Sequence, residues 1–345
     1  MGFSKSKRER IKAYILEQIE IKEDQLASKT AETFGVSLTT VYRYLKEMEE
    51  CKFIERKKGE YILVEETWFC KCSTNEKLEE DEVFSKEIAP HIKHLPLNVF
   101  RIWQYAFTEM MNNAIEHSET KNIYVTVTVS YLKTCIVIID KGVGIFEKIC
   151  AHFKYNSIDD AIGELFKGKL TTDSDNHSGE GIFFTSRMME TFAALSSGKV
   201  FTHSFHDNDE CRDLGNVEAF KDFERDKGTK IVMILSNNSK QTTKEVFDLY
   251  SDPDRGFVKT KIPIKNFFLD GYPVSRSQAR RLCSRFEDFS EVILDFTGVE
   301  DLGQGFAHEL FNVFYRKHPN LTIKIENANE NVRKMIRHVE ASLKD

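Results

Sequence analysis

The spacing of apolar residues changes several times along the chain, and each change predicts a different element. Ile11, Ile15 and Ile19 recur every four residues, the spacing of one helix face, and predict a helix over Lys7 to Gln18. A second helical stretch, Gln25 to Phe34, ends at Gly35, which suits a left-handed C-cap. Ser37 is placed to cap a third helix, LTTVYRYLKEMEE. CKFIERKKGEYILVE alternates about a KKGE turn and predicts a hairpin. The helical period returns from Leu97 to Glu116, with Phe100, Trp103, Phe107, Met110, Met111 and Ala114 apolar. A strand pair follows, and the β-branched run of its second strand, Ile136 to Ile139, ends in Asp140. Helices and a polar segment are expected over Ile145 to Asn176, with another helix in IFFTSRMMETF. SSGKVFTHSF and GTKIVMILS read as late strands, separated by the charged insert HDNDECRDLGNVEAFKDFERDK. Beyond about residue 255, strand and helix patterns alternate as βαβαβα, which predicts a small α/β domain with an at least partly parallel sheet.

A chain of 345 residues is too long for one ordinary core. The pattern divides into a three-helix and hairpin unit at 1–67, a linker at 68–96, a central domain at 97–250 and a C-terminal domain at 255–345. The acidic run EKLEEDE and the bracketing Pro90 and Pro96 place the linker. The expected class is an α+β multidomain protein whose central sheet is mixed and lies under helices.

Composition narrows the function. A net charge of −6 argues against a role that mainly coats nucleic acid, and 41% hydrophobic with 30% charged residues describes a soluble protein. No apolar run approaches the ~18 residues of a membrane span. The polar, basic start FSKSKRERIK has no apolar core of a signal peptide, so a cytoplasmic protein is expected. Seven cysteines without framework spacing agree with reduced thiols. Cys70 and Cys72 read as strand or linker cysteines rather than a metal or redox pair, and His91 and His94 as solvent-facing.

The chemistry concentrates between Phe107 and Gly181. Glu109, Asn113 and His117 stand at i, i+4 and i+8 and share one helix face. Asp140, Gly142 and Gly144 follow the buried strand, and Gly179 and Gly181 precede a helix. Gly228 and Thr229 form a later GT pair. Each piece alone is weak, but three in this order resemble the GHKL ATP-binding fold of gyrase, the heat-shock chaperone of that family, MutL and the bacterial histidine and anti-sigma kinases. The match is to the N box (Glu109, Asn113) and two glycine boxes (DKGVG and GEG). The resemblance implies ATP with Mg²⁺, the cation held by Asn113, and Glu109 orienting and deprotonating an attacking water. It implies that Asp140 accepts the adenine amino group, that Gly142 and Gly144 let the backbone pass close to the nucleotide, and that Thr229 lies near the adenine. KGKLTTDSDN would be the lid over the phosphates, with Lys167 or Lys169 meeting the γ-phosphate or facing solvent. The family often has GxGxGL where this chain has GEG followed by Phe183-Phe184, which implies a different lid setting. No GxxxxGK[ST] is present, so this is not a Walker-type site.

The stretch LASKTAETFGVSLTTVYRYLKEMEECKFIER resembles the bacterial winged-helix regulators. That implies DNA contacts from Thr39, Thr40, Tyr42 and Arg43 on the third helix and from Arg56, Lys57 and Lys58 on the wing. The alternative is a winged helix used for protein association. VILDFTGVEDLGQGFAHELF resembles STAS-like domains of the anti-sigma antagonist type, specifically the DUF4325-type family found behind GHKL domains. In phosphorylated antagonists a serine sits at the following helix start, but here the stretch is Leu302-Gly303-Gln304-Gly305-Phe306; Thr297 is the nearest hydroxyl. The combination implies a cytoplasmic, ATP-dependent regulator of transcription type with weak ATPase activity, a protein partner at the STAS-like module and a homodimer as one possible state. A serine kinase acting on a partner and an ATP-bound scaffold stay open.

Overall fold

The computed structural model describes residues 5–74, 77–170, 179–204, 227–268 and 272–341. Residues 171–176 of the expected lid, residues 177 and 178 of the second glycine-box stretch and most of the charged insert lie outside the described residues.

The N-terminal unit has helices α1 (Lys5–Glu20), α2 (Leu26–Phe34) and α3 (Leu38–Glu50) and a hairpin of β1 (Ile54–Lys57) and β2 (Glu60–Leu63). Gly35 adopts φ +60° and closes α2; the Ser37 hydroxyl accepts the Thr40 N–H and opens α3. Ile11, Ile15 and Leu16 of α1 bury against Val41, Tyr44, Leu45 and Met48 of α3, and Ile54 closes this small core.

The central sheet has six strands in the order β3-β4-β5-β8-β6-β7. They are β3 (Glu66–Ser73), β4 (Asn122–Val129), β5 (Lys133–Asp140), β6 (Thr191–Ser196), β7 (Lys199–Ser204) and β8 (Thr229–Ser236). Every pairing is antiparallel, so the expected mixed sheet is corrected. Two further differences have physical causes. Within 68–96, expected as linker, β3 adds an edge strand to the sheet. The helical turns α4 (Glu80–Val83), a wide π-type segment Phe84–Ile88 and α5 (Ala89–Ile92) then bury Phe84, Ile88 and Ile92 in the main core. His91 stacks on Trp68 at 3.9 Å between ring centroids, while His94 is exposed. The helix expected to run through Phe192 stops at Met188, because Thr191 and Phe192 start β6 and pair with β7 and β8.

Helix α6 (Leu97–His117) crosses one face of this sheet, burying Val99, Ile102, Trp103, Ala106, Phe107, Met110 and Met111. Alternation along β4 and β5 turns Ile123, Val125, Val127, Ile136, Ile138 and Asp140 to the buried face. Asp140 therefore enters the helix layer as the last residue of an inward-facing series. Helices α7 (Ile145–Phe153), α8 (Ile158–Lys167) and α9 (Gly181–Met188) complete the layer.

After α10 (Thr243–Tyr250) and a short pair, β9 (Ser251–Asp252) with β10 (Gly256–Phe257), the C-terminal module begins. Its strands β11 (Lys259–Pro263), β12 (Glu291–Asp295) and β13 (Thr322–Glu326) are parallel, in that order, as alternation with helices requires. They alternate with α11 (Ile264–Phe267), α12 (Arg276–Cys283) and α13 (Gln304–His308), the last continuing through a π-type segment; α14 (Glu330–Ala341) closes the module.

The central and C-terminal parts share one continuous apolar core. Phe183 and Phe184 of α9 lie 4.5 and 5.1 Å from Phe257, so the aromatic pair after the second glycine box faces the junction. Arg187 is nearly fully buried there, its guanidinium 3.7 Å from the Phe183 ring centre. It donates to the carbonyls of Phe166 and Lys261, and burial pushes its pKa down to about 10.

Candidate functional site

Asp140, Thr229, Glu109, Asn113, Gly179 and Gly181 come together around one cavity of about 240 Å³ between α6, β5, β8 and the start of α9. Its apolar wall is Met110, Ala114, Ile138, Ile145, Ile149 and Ile231. These residues follow from the inward alternation of β5 and β8 and from the apolar stripes of α6 and α7. The sequence signal for them was periodicity alone, which marks a residue as core without distinguishing core from cavity wall.

At one end the Asp140 carboxylate accepts the N–H of Gly142 at 3.0 Å and of Thr229 at 3.3 Å. The Thr229 hydroxyl in turn accepts the Ile145 N–H at 3.0 Å. Burial pushes the Asp140 pKa up to about 6, against the lowering effect of those backbone and hydroxyl partners. Gly142 and Gly144 do not line the cavity. The backbone between them reaches the cavity at Val143, and a Cβ at Gly142 would lie 1.7 Å from the Ser118 carbonyl oxygen. That oxygen accepts the Val143 N–H at 2.7 Å, so the first glycine box is locked onto the end of α6. His117 lines the cavity, and its carbonyl accepts from Lys148 Nζ at 2.9 Å; Lys148 is a lining residue the motifs did not indicate.

At the other end stand Glu109, Asn112, Asn113, Glu180 and Gly181. A Cβ at Gly181 would come within 2.2 Å of Glu109 Oε2, so the carboxylate rests against the first residue of α9. Burial, and then the charges of Glu109 and Glu180, raise the Tyr105 pKa, so both carboxylates lie near that phenol. Glu180 is a second acid at this end that motif matching passes over as the variable letter of GEG. The two ends are spaced by α6 itself: from Glu109 to His117 the helix advances about 12 Å, at 1.5 Å per residue.

Lys167 and Lys169 go elsewhere. Lys167 is fully buried and donates to Glu164 Oε1 and to the carbonyls of Arg281 and Ser284 at 3.1 and 2.7 Å. Lys169 donates to the Asp288 carbonyl at 2.7 Å. Both side chains turn to the C-terminal module, which replaces the expectation of phosphate or solvent.

On the N-terminal unit, Thr39, Tyr42 and Arg43 are exposed along α3, while Thr40 is half-buried with its hydroxyl 3.0 Å from that of Ser37. Arg56 donates to the Gly59 carbonyl at 3.2 Å, Lys57 pairs with Glu55 at 2.5 Å, and Lys58 is exposed at the hairpin turn. In the C-terminal module the Thr297 hydroxyl donates to Asp295 at 2.7 Å, and α13 starts at Gln304 without a hydroxyl cap. Among the described residues no group of three or more His, Cys, Asp or Glu could hold a metal, and no helix is long and apolar enough to cross a membrane.

Comparison with known families agrees with this geometry. Residues 100–239 match the family of histidine kinase-, DNA gyrase B- and HSP90-like ATPases. Residues 278–333 match the STAS-like domain of unknown function (DUF4325), and residues 2–85 match the Firmicute plasmid replication protein family RepL. No curated protein matches the chain. The chain is thus similar to the histidine kinase-, DNA gyrase B- and HSP90-like (GHKL) ATPases over its central part, to RepL over its N-terminal segment and to the STAS-like family over its C-terminal module.

Proposed function

We propose that the protein is an ATP-operated, DNA-binding regulator of transcription type that hydrolyses ATP slowly. The observation that carries this reading is the convergence of Glu109, Asn113, Asp140, Gly179, Gly181 and Thr229 on one cavity with unlike ends. The Asp140 end, a buried carboxylate beside Thr229 and the apolar Ile138, Ile145 and Ile231, fits a flat base with an amino donor. The Glu109 end offers amide oxygens, carboxylates and the N-terminus of α9, a donor set that fits phosphate and a hard cation. Asn113 would hold Mg²⁺, which when bound shields the phosphate charge. Glu109 would take the proton of the attacking water, and Asp140 would fix the base.

A RepL-like segment with Thr39, Tyr42 and Arg43 exposed on α3 supports DNA as the partner of the N-terminal unit. The STAS-like module supports a protein partner, and scattered cysteines support a cytoplasmic setting. Titration with Mg-ATP and steady-state turnover test the site. Asn113→Ala should lose nucleotide binding, whereas Glu109→Ala should bind and fail to turn over. Wild-type protein that binds no ATP would sink the reading. Anisotropy on duplex DNA with and without ATP tests the regulatory half; equal affinities would remove the coupling.

A second reading, protein serine kinase, is favoured by the STAS-like module alone. Label from γ-phosphate appearing on protein rather than as free phosphate would select it. The hydroxyl-free stretch Leu302–Phe306 speaks against transfer within the chain.

A further inference from the structure

The described backbone on the two sides of residues 171–178 forms part of the cavity, and its support comes from the C-terminal module. Leu170, Gly179, Glu180 and Gly181 line the wall at the Glu109 end. The Leu170 N–H donates to the Gly179 carbonyl at 3.1 Å. Gly179 has φ +69°, and a Cβ there would meet the Leu170 backbone at 2.6 Å, so the two sides touch without room for a side chain. Just upstream, Gly168 and Lys169 both adopt left-handed backbone, φ +82° and +52°. Positive φ is uncommon for a lysine, and here it coincides with a dense set of contacts.

Phe183 and Phe257 crowd Gly168, Lys169 lies over Phe257 and Phe289, and one arginine holds the carbonyls of both residues. Arg285 lies just beyond α12, itself at φ +62°. Its Nη2 donates to the carbonyls of Gly168 and Lys169, its Nη1 to Glu164 at 3.3 Å, and its Nε to Asp288 at 3.1 Å. Lys169 Nζ returns to the Asp288 carbonyl. A planar fork with five N–H groups can hold two carbonyls and two carboxylates at once; an ammonium cannot do so in this geometry.

We propose that Arg285 is a positioning residue of the nucleotide cavity: it fixes the Gly168–Lys169 backbone and, through the Leu170–Gly179 contact, the glycine-box wall that faces the phosphates. This rests on reading the cavity as a nucleotide site. The consequence is directional. Arg285 holds the two residues before Leu170, which lines the Glu109 end, and touches nothing at the Asp140 end, so its loss weakens recognition of phosphate and leaves recognition of the base. A STAS-like module that carries this arginine acts on nucleotide affinity through a direct mechanical link.

The test uses the full chain. In nucleotide-free protein, hydrogen exchange in the peptide containing Leu170 should speed up about tenfold in Arg285→Ala. Titration should show Mg-ATP bound about tenfold more weakly and adenosine bound as in wild type. Asp288→Asn, which keeps the guanidinium and removes the carboxylate that orients it, should move both readouts the same way by less, and it decides the question if Arg285→Ala does not fold. Equal losses for ATP and adenosine, or unchanged exchange at Leu170, would overturn the proposal. Wild-type protein that binds no nucleotide would remove the nucleotide reading and the role in recognition with it, while the exchange result still decides whether Arg285 holds the wall.

Discussion

The carboxylate of Glu109 rests against Gly181: a Cβ added at Gly181 would stand 2.2 Å from Oε2 and 3.5 Å from the Glu109 Cβ. The N box and the second glycine box are thus one contact, made by residues 72 positions apart in the chain (181 − 109). Gly181→Ala should displace Glu109 without touching Asp140. The expected outcome is ATP turnover lowered about a hundredfold, the scale of an ångström-level misplacement of a reacting group, with adenosine affinity unchanged. Turnover equal to wild type would show that Glu109 has no catalytic duty.

Asp140 makes stability depend on pH. Its folded pKa, about 6, lies above the ordinary 3.8, so the native state holds its proton more tightly than the unfolded chain. That contribution is complete below about pH 3.8 and is lost as pH rises through about 6. The shift corresponds to roughly 3 kcal/mol. Asp140→Asn should remove this component, so that wild type loses about that much stability relative to the variant between pH 4 and 7. Urea unfolding of both proteins across that range checks it; parallel curves would contradict the buried-carboxylate account.

Lys167 is buried with Glu164 at 2.5 Å, and burial lowers the lysine's pKa against the raising effect of that partner. Lys167→Met would leave the carbonyls of Arg281 and Ser284 without their donor and Glu164 short of one charge. A cost of about 3–5 kcal/mol is expected, the usual result of breaking a buried pair from one side. Removing both charges, as Lys167→Met with Glu164→Met, should cost less than the two single changes summed. Denaturant unfolding of the four proteins gives the coupling directly.

Arg43 is exposed on α3, with a long contact to Glu47 at 3.8 Å and its guanidinium 5.1 Å from the Tyr44 ring centre. If DNA lies along this helix, Arg43→Ala should weaken binding to every duplex sequence and reduce the salt dependence of log K by about one unit of slope for a phosphate contact. A change confined to one base position would make it a base reader instead. No change in affinity or slope would take Arg43 out of the interface.

The sequence by itself determined most of the elements and singled out Glu109, Asn113, Asp140 and Thr229 among the cavity's polar residues. Glu109 and Asn113 share a face because four residues is one helical turn, and Asp140 points inward because Ile136 and Ile138 do; these are local relations, readable from spacing. Caps at Gly35 and Ser37 are equally local. What spacing could not decide was where long side chains and short strands find partners. Glu66–Ser73 has no alternation that names its neighbour, yet it completes the sheet beside β4. The spacing of Gly142 gave no sign that it packs on Ser118 at the end of α6. Lys167 and Lys169 sit just before Leu170, which lines the cavity, but their partners Arg281 and Asp288 lie 114 and 119 residues away, across one continuous core. Only the tertiary structure could make that choice, because a buried cation goes to whichever carbonyls and carboxylates the folded chain brings within reach, whatever their distance in sequence.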